Sequence, residues 1–251
     1  MPIAIFDLDG TITHRDTLFP LVLRLLARRP WRLLRLAAVA PAALRFVFDH
    51  DRAALKQSLL RTTLRGMTRA ELHAAAEHFV RDCIARRCLR DALSAVRRHR
   101  EAGHHLVLMS ASVDFYVPEF GRQLGFHQVI CTGVAFDQDR LEGTLTTANR
   151  RGEEKARCLR QLLAERGMSE TFAYGNSDSD LPHLRIATHG LLRQTLFEAV
   201  ALHAERRSGQ RGGAEQGDER ANSGTHCCIG GPEESPSFSH CLAAGRLQRT
   251  S

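Results

Sequence analysis

The sequence predicts an α/β fold, a mostly parallel sheet whose first strand is followed by a long helical insertion. Three observations predict it. Short apolar runs recur at residues 2–6, 105–109, 128–132 and 171–174, each with the length of a buried strand. Helical periodicity fills most of the spaces between them, and strands that alternate with helices pair in parallel. From residue 17 to about 87 the pattern is helical and no strand competes.

The elements follow in order. Residues 2–6 form the first strand and 7–14 a loop. Within the insertion, 68–87 is the clearest helix. Leu72, Ala75, Ala76, Phe79, Val80, Cys83 and Ile84 recur at spacings of three and four, behind Thr68 with Glu71 three residues on. That pair is a capping box. A weaker pattern covers 51–64 on Ala54, Leu55, Ser58 and Leu59. Residues 89–102 form a helix stopped by Gly103, and the strand at 105–109 ends at Ser110. A helix is expected over 113–124, a strand at 128–132, and a small hairpin from 134–136 and 140–145 around Asp137-Gln138-Asp139. A helix at 152–166 stops at Gly167. The last clear strand, 171–174, runs into Gly175-Asn176-Ser177-Asp178-Ser179-Asp180, with a helix starting near Leu181.

The 251 residues suffice for one sizeable domain with an insertion, and 43% hydrophobic content supports a real core. The final stretch differs. Eight of the 19 glycines lie in 206–251, where the only large apolar side chains are Ile229, Phe238, Leu242 and Leu247. Such a segment buries too little surface to offset its ordering entropy and reads as a disordered tail. The formal net charge of +7 points to anionic partners, although an arginine-rich composition alone raises it. The seven cysteines (83, 88, 131, 158, 227, 228 and 241) are odd in number and irregular in spacing. They argue against a disulfide framework or a zinc site and fit a reducing cytoplasm. A strand begins within three residues of the N-terminus, so no signal peptide is expected.

The chemistry concentrates at strand ends. Asp7 and Asp9 follow the first strand, with Gly10 and Thr11 behind them. Ser110 ends the second strand, Lys155 begins a later helix, and Asn176 and Asp180 follow the last strand. In a parallel sheet these loops open on one edge, where ligands bind. Hydrolysis of a phosphate monoester needs such a set: a carboxylate nucleophile, a second acid for the leaving oxygen, a hydroxyl and an ammonium for phosphoryl charge, and a cation site. Taken singly, each feature has a plain structural explanation. Asp-x-Asp-Gly-Thr can be a turn, Ser110 a helix cap, Lys155 a solvated helix residue, and Asp178 and Asp180 caps of the following helix.

Together, in this order, they resemble the haloacid dehalogenase (HAD) superfamily phosphatases. The resemblance is to the subclass with a helical cap directly after the first motif, which includes phosphoserine phosphatase and phosphatidylglycerophosphatase C. Asp7-Leu8-Asp9-Gly10-Thr11 matches D-x-D-x-T, Ser110 in Met-Ser-Ala-Ser the second motif, Lys155 in Gly-Glu-Glu-Lys the third, and residues 175–180 the fourth. The likeness covers about residues 1–192. It implies a Rossmann-like doubly wound core from 1–14 and 89–205, a helical cap at 15–88, and the tail at 206–251. It also implies a Mg²⁺-dependent phosphomonoester hydrolase acting through an aspartyl-phosphate on Asp7. Asp9 would be the acid and then the base, Ser110 and Lys155 would hold phosphate, and Asp7, Asp9, Asn176 and Asp180 would form the metal shell. Asn176 departs from the pattern, which has aspartate there. An amide oxygen can still ligate Mg²⁺, without contributing charge.

The cap sets the remaining expectations. Six arginines (24, 28, 29, 32, 35 and 45) and no acid lie among Leu25, Leu26, Trp31, Leu33, Leu34, Leu36, Val39 and Leu44. The apolar run 33–48, interrupted by Arg35, Pro41 and Arg45, is too short and too charged to span a bilayer comfortably. It either packs its apolar face on the core or lies on an anionic membrane surface. The substrate is expected to be a phosphorylated small molecule or lipid, and the location cytoplasmic, with peripheral contact at the inner membrane face an option. The reading from another class is a catalytically weak membrane- or nucleic-acid-binding module. No nucleic acid is expected, because the basic run lacks the aromatic spacing of a stacking surface.

Overall fold

A computed structural model of the chain describes residues 1–28, 30–167 and 170–192, all within one compact unit. The expectations for 193–205 and for the tail at 206–251 lie outside the described residues.

Five parallel strands make the main sheet: β1 (Ile3–Phe6), β2 (His105–Val113), β3 (Gln128–Thr132), β6 (Thr171–Gly175) and β7 (His189–Leu192), in the order β3-β2-β1-β6-β7. A two-stranded antiparallel hairpin, β4 (Val134–Asp137) and β5 (Arg140–Leu145), stands apart. Its turn is built on Gln138 and Asp139, both at positive φ.

The helices are α1 (Leu18–Ala27), α2 (Ala40–Asp49), α3 (Arg52–Thr63), α4 (Arg69–Arg86), α5 (Arg90–Glu101), α6 (Val117–Leu124), α7 (Glu153–Arg166) and α8 (Leu181–Leu184), with a 3₁₀ segment at Pro30–Val39. The Thr68–Glu71 capping box forms as expected, with both reciprocal bonds present.

Alternation along β1 assigns its two faces. Ala4 and Phe6 join a core with Leu21, Val22, Phe79, Val96 and Phe120, whereas Ile3 and Ile5 pack with Leu159 and Leu162 of α7. A parallel sheet covered on both faces reads as near-continuous apolar strands, which is why β1 and residues 106–109 of β2 lack polar residues. The chain runs from β1 outward to β3 on one side and resumes at β6 on the other. The switch point therefore falls between β1 and β6, the crevice where such sheets bind ligands.

Three expectations are corrected. The second strand continues past Ser110 to Val113, because pairing with β3 resumes at Val113, opposite Thr132, beyond a register irregularity that takes in Ser110, Ala111 and Ser112. The following helix accordingly starts at Val117 rather than 113, with Pro118 in its first turn. A fifth strand, β7, pairs with β6; its four residues are too few and too exposed to leave a pattern.

Candidate active site

Asp7 leaves β1 with its amide bonded to the Tyr174 carbonyl at 3.0 Å, so it sits at the carboxyl edge between β1 and β6. The chain then turns back over residues 8–12. Gly10 holds φ +87°, and a Cβ there would lie 2.1 Å from the Asn176 amide. Only glycine fits at this position: the backbone is left-handed and the loop after β6 presses on it.

Lys155, in the first turn of α7, ties the edge together. Its Nζ donates to Asp7 Oδ1 at 2.6 Å and to Asp180 Oδ1 at 2.7 Å, and the lysine is 3% exposed. Thr11 Oγ1 donates to the other Asp7 oxygen at 3.1 Å. Asp180 Oδ2 accepts from the amides of Asn176 and Ser177 and from the Ser177 hydroxyl. Burial pushes the Asp7 carboxyl up, with Lys155 opposing and Asp180 adding to the rise. Burial works against the charge on Lys155 too, but its two carboxylates outweigh that and hold the ammonium above its usual range. For Asp180 burial is likewise outweighed, by Lys155, and the carboxyl is held low.

Asp9 is turned elsewhere. One carboxylate oxygen accepts from the Thr17 amide (2.8 Å) and hydroxyl (2.6 Å), the other from the Ser112 hydroxyl (2.6 Å). The Thr17 hydroxyl also meets the buried Tyr116 hydroxyl at 2.9 Å. Burial, with Asp16 and Asp7 nearby, pushes the Asp9 carboxyl up to about 6, against the pull of the two hydroxyls. A carboxyl at that value can give and take a proton near neutral pH.

Asp7, Asp9, Ser112, Lys155, Asn176, Ser177 and Asp180 line a cavity of about 280 Å³ that also exposes Arg52, Leu55, Lys56 and Leu59 of α3, Phe19 of α1, and Asn149 and Arg151. Lys56 Nζ donates to the Ala111 carbonyl and, at 2.6 Å, to Asn149 Oδ1. Burial pulls its ammonium down to about 8, although Asp9 and Asp16 favour the charge.

Of the residues expected from sequence, Asp7, Asp9, Lys155, Asn176 and Asp180 line this one cavity. Ser110 does not. It is fully buried, and its hydroxyl accepts from the Ser112 amide at 3.0 Å. Ala111 and Ser112 face the cavity in its place. Sequence reasoning missed Thr17, Ser112, Arg52, Lys56, Asn149 and Arg151. One signal was present. Among 35 basic side chains only Lys56 and Lys155 are lysines, and both line the cavity. A compact ammonium with rotatable donors serves a crowded polar site better than a planar guanidinium fork. His183 of α8 was also missed. It is fully buried, has no hydrogen-bond partner on either ring nitrogen, and is pushed down by burial, with Lys155 adding to the fall, to about 4.

Among the described residues no three His, Cys, Asp or Glu side chains gather as a metal-binding set. The donors that line the cavity at the sheet edge are oxygens: the carboxylates of Asp7 and Asp180 and the amide of Asn176. An oxygen-only set of this kind suits a hard divalent cation such as Mg²⁺ rather than a metal that favours nitrogen or sulfur ligands.

Comparison with known proteins places the architecture. The family model for haloacid dehalogenase-like hydrolases matches residues 4–185, and the chain belongs to that family. It is 36% identical over 186 residues to Protein CicA of Caulobacter vibrioides, covering 72% of this chain and 81% of that protein. It is 25% identical over 193 residues to a probable phosphatase of Mycobacterium tuberculosis, covering 74% of this chain and 66% of that one. Among solved structures, a phosphoserine phosphatase in a phospho-aspartyl intermediate analogue form shares the fold, with TM-score 0.52 and 15% identity over 78% of this chain and 89% of that one.

Proposed function

We propose that the chain is a phosphatase that hydrolyses phosphate monoesters, with Asp7 as the nucleophile and Mg²⁺ as cofactor. One observation carries the reading. Asp7 is buried to 5% exposure at the switch point, fixed by Lys155 and Thr11, and still lines the cavity. A carboxylate held in this way is oriented for attack rather than for solvation.

An Asp7 oxygen bonds to phosphorus while the ester P–O bond breaks, and the leaving oxygen takes the proton from Asp9. Water then attacks the aspartyl-phosphate, with Asp9 as base, releasing phosphate and freeing Asp7. The value near 6 at Asp9 suits both steps. Lys155 holds Asp7 in place and offsets negative charge as the phosphoryl group arrives. Asp7, Asp180, Asn176 and the Asp9 backbone carbonyl would hold Mg²⁺; when bound, the cation supplies charge neutralisation for phosphoryl oxygens. The neutral Asn176 implies weaker metal binding than an aspartate would give. Ser112, which lines the cavity, is better placed than Ser110 to supply the hydroxyl of the second motif.

Arg52, Lys56 and Arg151 add positive charge to a cavity that also holds Leu55, Leu59 and Phe19. This mixture suits a small or lipid phosphate ester. The test is hydrolysis of p-nitrophenyl phosphate with Mg²⁺ and after chelation, followed by a panel of phosphoserine, sugar phosphates, lysophosphatidate and phosphatidylglycerophosphate. Turnover should require the metal and fall by about 10³-fold or more in Asp7→Asn. Undiminished turnover in Asp7→Asn would refute the mechanism.

A further inference from the structure

Eight of the nine large hydrophobic side chains exposed among the described residues lie between Phe19 and Phe48. Leu34 is 80% exposed, Phe48 79% and Trp31 66%. α2 carries Leu44, Phe46, Val47 and Phe48, yet none of its residues is buried. Among the described side chains of the 3₁₀ segment before it, only Val39 is fully buried, with Leu36 half-buried against the core. Scattered exposed leucines need no explanation, but an apolar patch confined to one 30-residue stretch does.

We propose that this face of the cap docks on an anionic lipid bilayer. The charge of the stretch selects that occupant. From residue 17 to 48 there are six arginines and no acid; Arg28 and Arg35 are exposed among the apolar side chains. Arginines around an apolar face are the pattern of helices that lie in the headgroup plane, where each cation near an anionic surface contributes about 1 kcal/mol. A second copy of the chain is the poorer occupant, because a two-fold interface would set the same arginines against one another. Residues 193–251 carry as many acids as arginines, so they offer the patch no net opposite charge.

No helix among the described residues is long and apolar enough to cross a membrane, and the contact proposed is a face lying on the surface. The exposed stretch begins at the catalytic cavity: Phe19 is 48% exposed and also lines that cavity. Docking would place the cavity mouth near the headgroups. For the substrate this favours phosphoryl groups displayed on a bilayer, a consequence that rests on the phosphatase reading; the docking itself does not.

Trp31 is the chain's single tryptophan and lies in the patch, so its emission reports the contact directly. The full chain is mixed with vesicles of phosphatidylglycerol and phosphatidylcholine, or of phosphatidylcholine alone, at low and high salt. The proposal expects a blue shift and co-flotation with the anionic vesicles only, weakened at least tenfold by high salt. It expects the Leu34→Ser/Phe48→Ser double variant to lose that binding at least tenfold while keeping its rate on soluble p-nitrophenyl phosphate. An Arg28→Gln/Arg35→Gln variant should lose binding to anionic vesicles without touching the apolar side chains. Equal binding to neutral vesicles, no shift with anionic ones, or a Trp31 shift that follows protein concentration without lipid would each overturn it. The readout does not depend on turnover, so an inactive but vesicle-binding protein would sink the phosphatase reading alone.

Discussion

The sheet edge and the outer face of the cap handle polarity in opposite ways. At the edge, an ammonium and two carboxylates are buried within hydrogen-bond reach of one another, and each carboxylate has further donors. On the cap, leucines, phenylalanines and a tryptophan stand in solvent among arginines. Folding alone favours neither arrangement. A buried ion pair seldom outperforms apolar packing in stability, and exposed apolar surface gains nothing from the fold. On the two readings proposed above, what the regions share is a task outside stability: the first would receive charge arriving in a crevice, the second a surface arriving from outside.

Three substitutions test how far that contrast holds. The largest effect is expected for Lys155→Met. It leaves Asp7 and Asp180 buried without their cation, and breaking such a pair costs about 3–5 kcal/mol. Urea unfolding of variant and wild type measures it, and a loss below about 1 kcal/mol would show that the carboxylates do not depend on the ammonium.

His183 tests the same region through pH. Its folded value is about 4 against 6.5 in the unfolded chain, so between those values the unfolded chain binds a proton that the folded one refuses. The histidine's contribution is intact above about 6.5 and is lost as pH falls toward 4. Relative to His183→Leu, the wild type should therefore lose about 2–3 kcal/mol between pH 7 and pH 4.5. Groups common to both proteins cancel in this difference, and a constant difference across the range would place the imidazole in contact with water.

The smallest effect belongs to the cap. Phe48→Ser should change stability by no more than about 0.5 kcal/mol, because nothing in α2 is buried. A loss of 2 kcal/mol or more in urea would mean that the phenylalanine packs within the protein and that the contrast between the regions is false.

Much of the site was legible because chemistry in a parallel sheet collects at strand ends. Asp7 after β1, Lys155 at the start of α7 and Asp180 after β6 could be brought together on topology alone. Ser110 is buried because the strand does not end there; the register irregularity between Met109 and Val113 turns Ala111 and Ser112 to the cavity instead. Thr17 and Ser112 were hidden for another reason. Their role is to hold the Asp9 carboxylate, and a hydroxyl's partner 8 or 103 residues away leaves no local pattern. The cap showed the opposite limit. Leu25, Leu26 and Leu34 look alike in a periodicity count, yet the first two are buried and the third is exposed. Periodicity marks a greasy face and does not say what meets it.

Lys56 has a consequence for how members of this family trade parts. Its ammonium crosses from α3 to the Ala111 carbonyl and the Asn149 amide. An insertion grafted from a relative without that lysine would take away the Asn149 amide oxygen's nearer donor and leave the Ala111 carbonyl with the Thr132 hydroxyl alone, and a hydrogen bond lost in this way costs about 0.5–1.5 kcal/mol. Chimeras that exchange this region would start with a handicap at the seam, and carrying position 56 across with the graft is the simplest remedy.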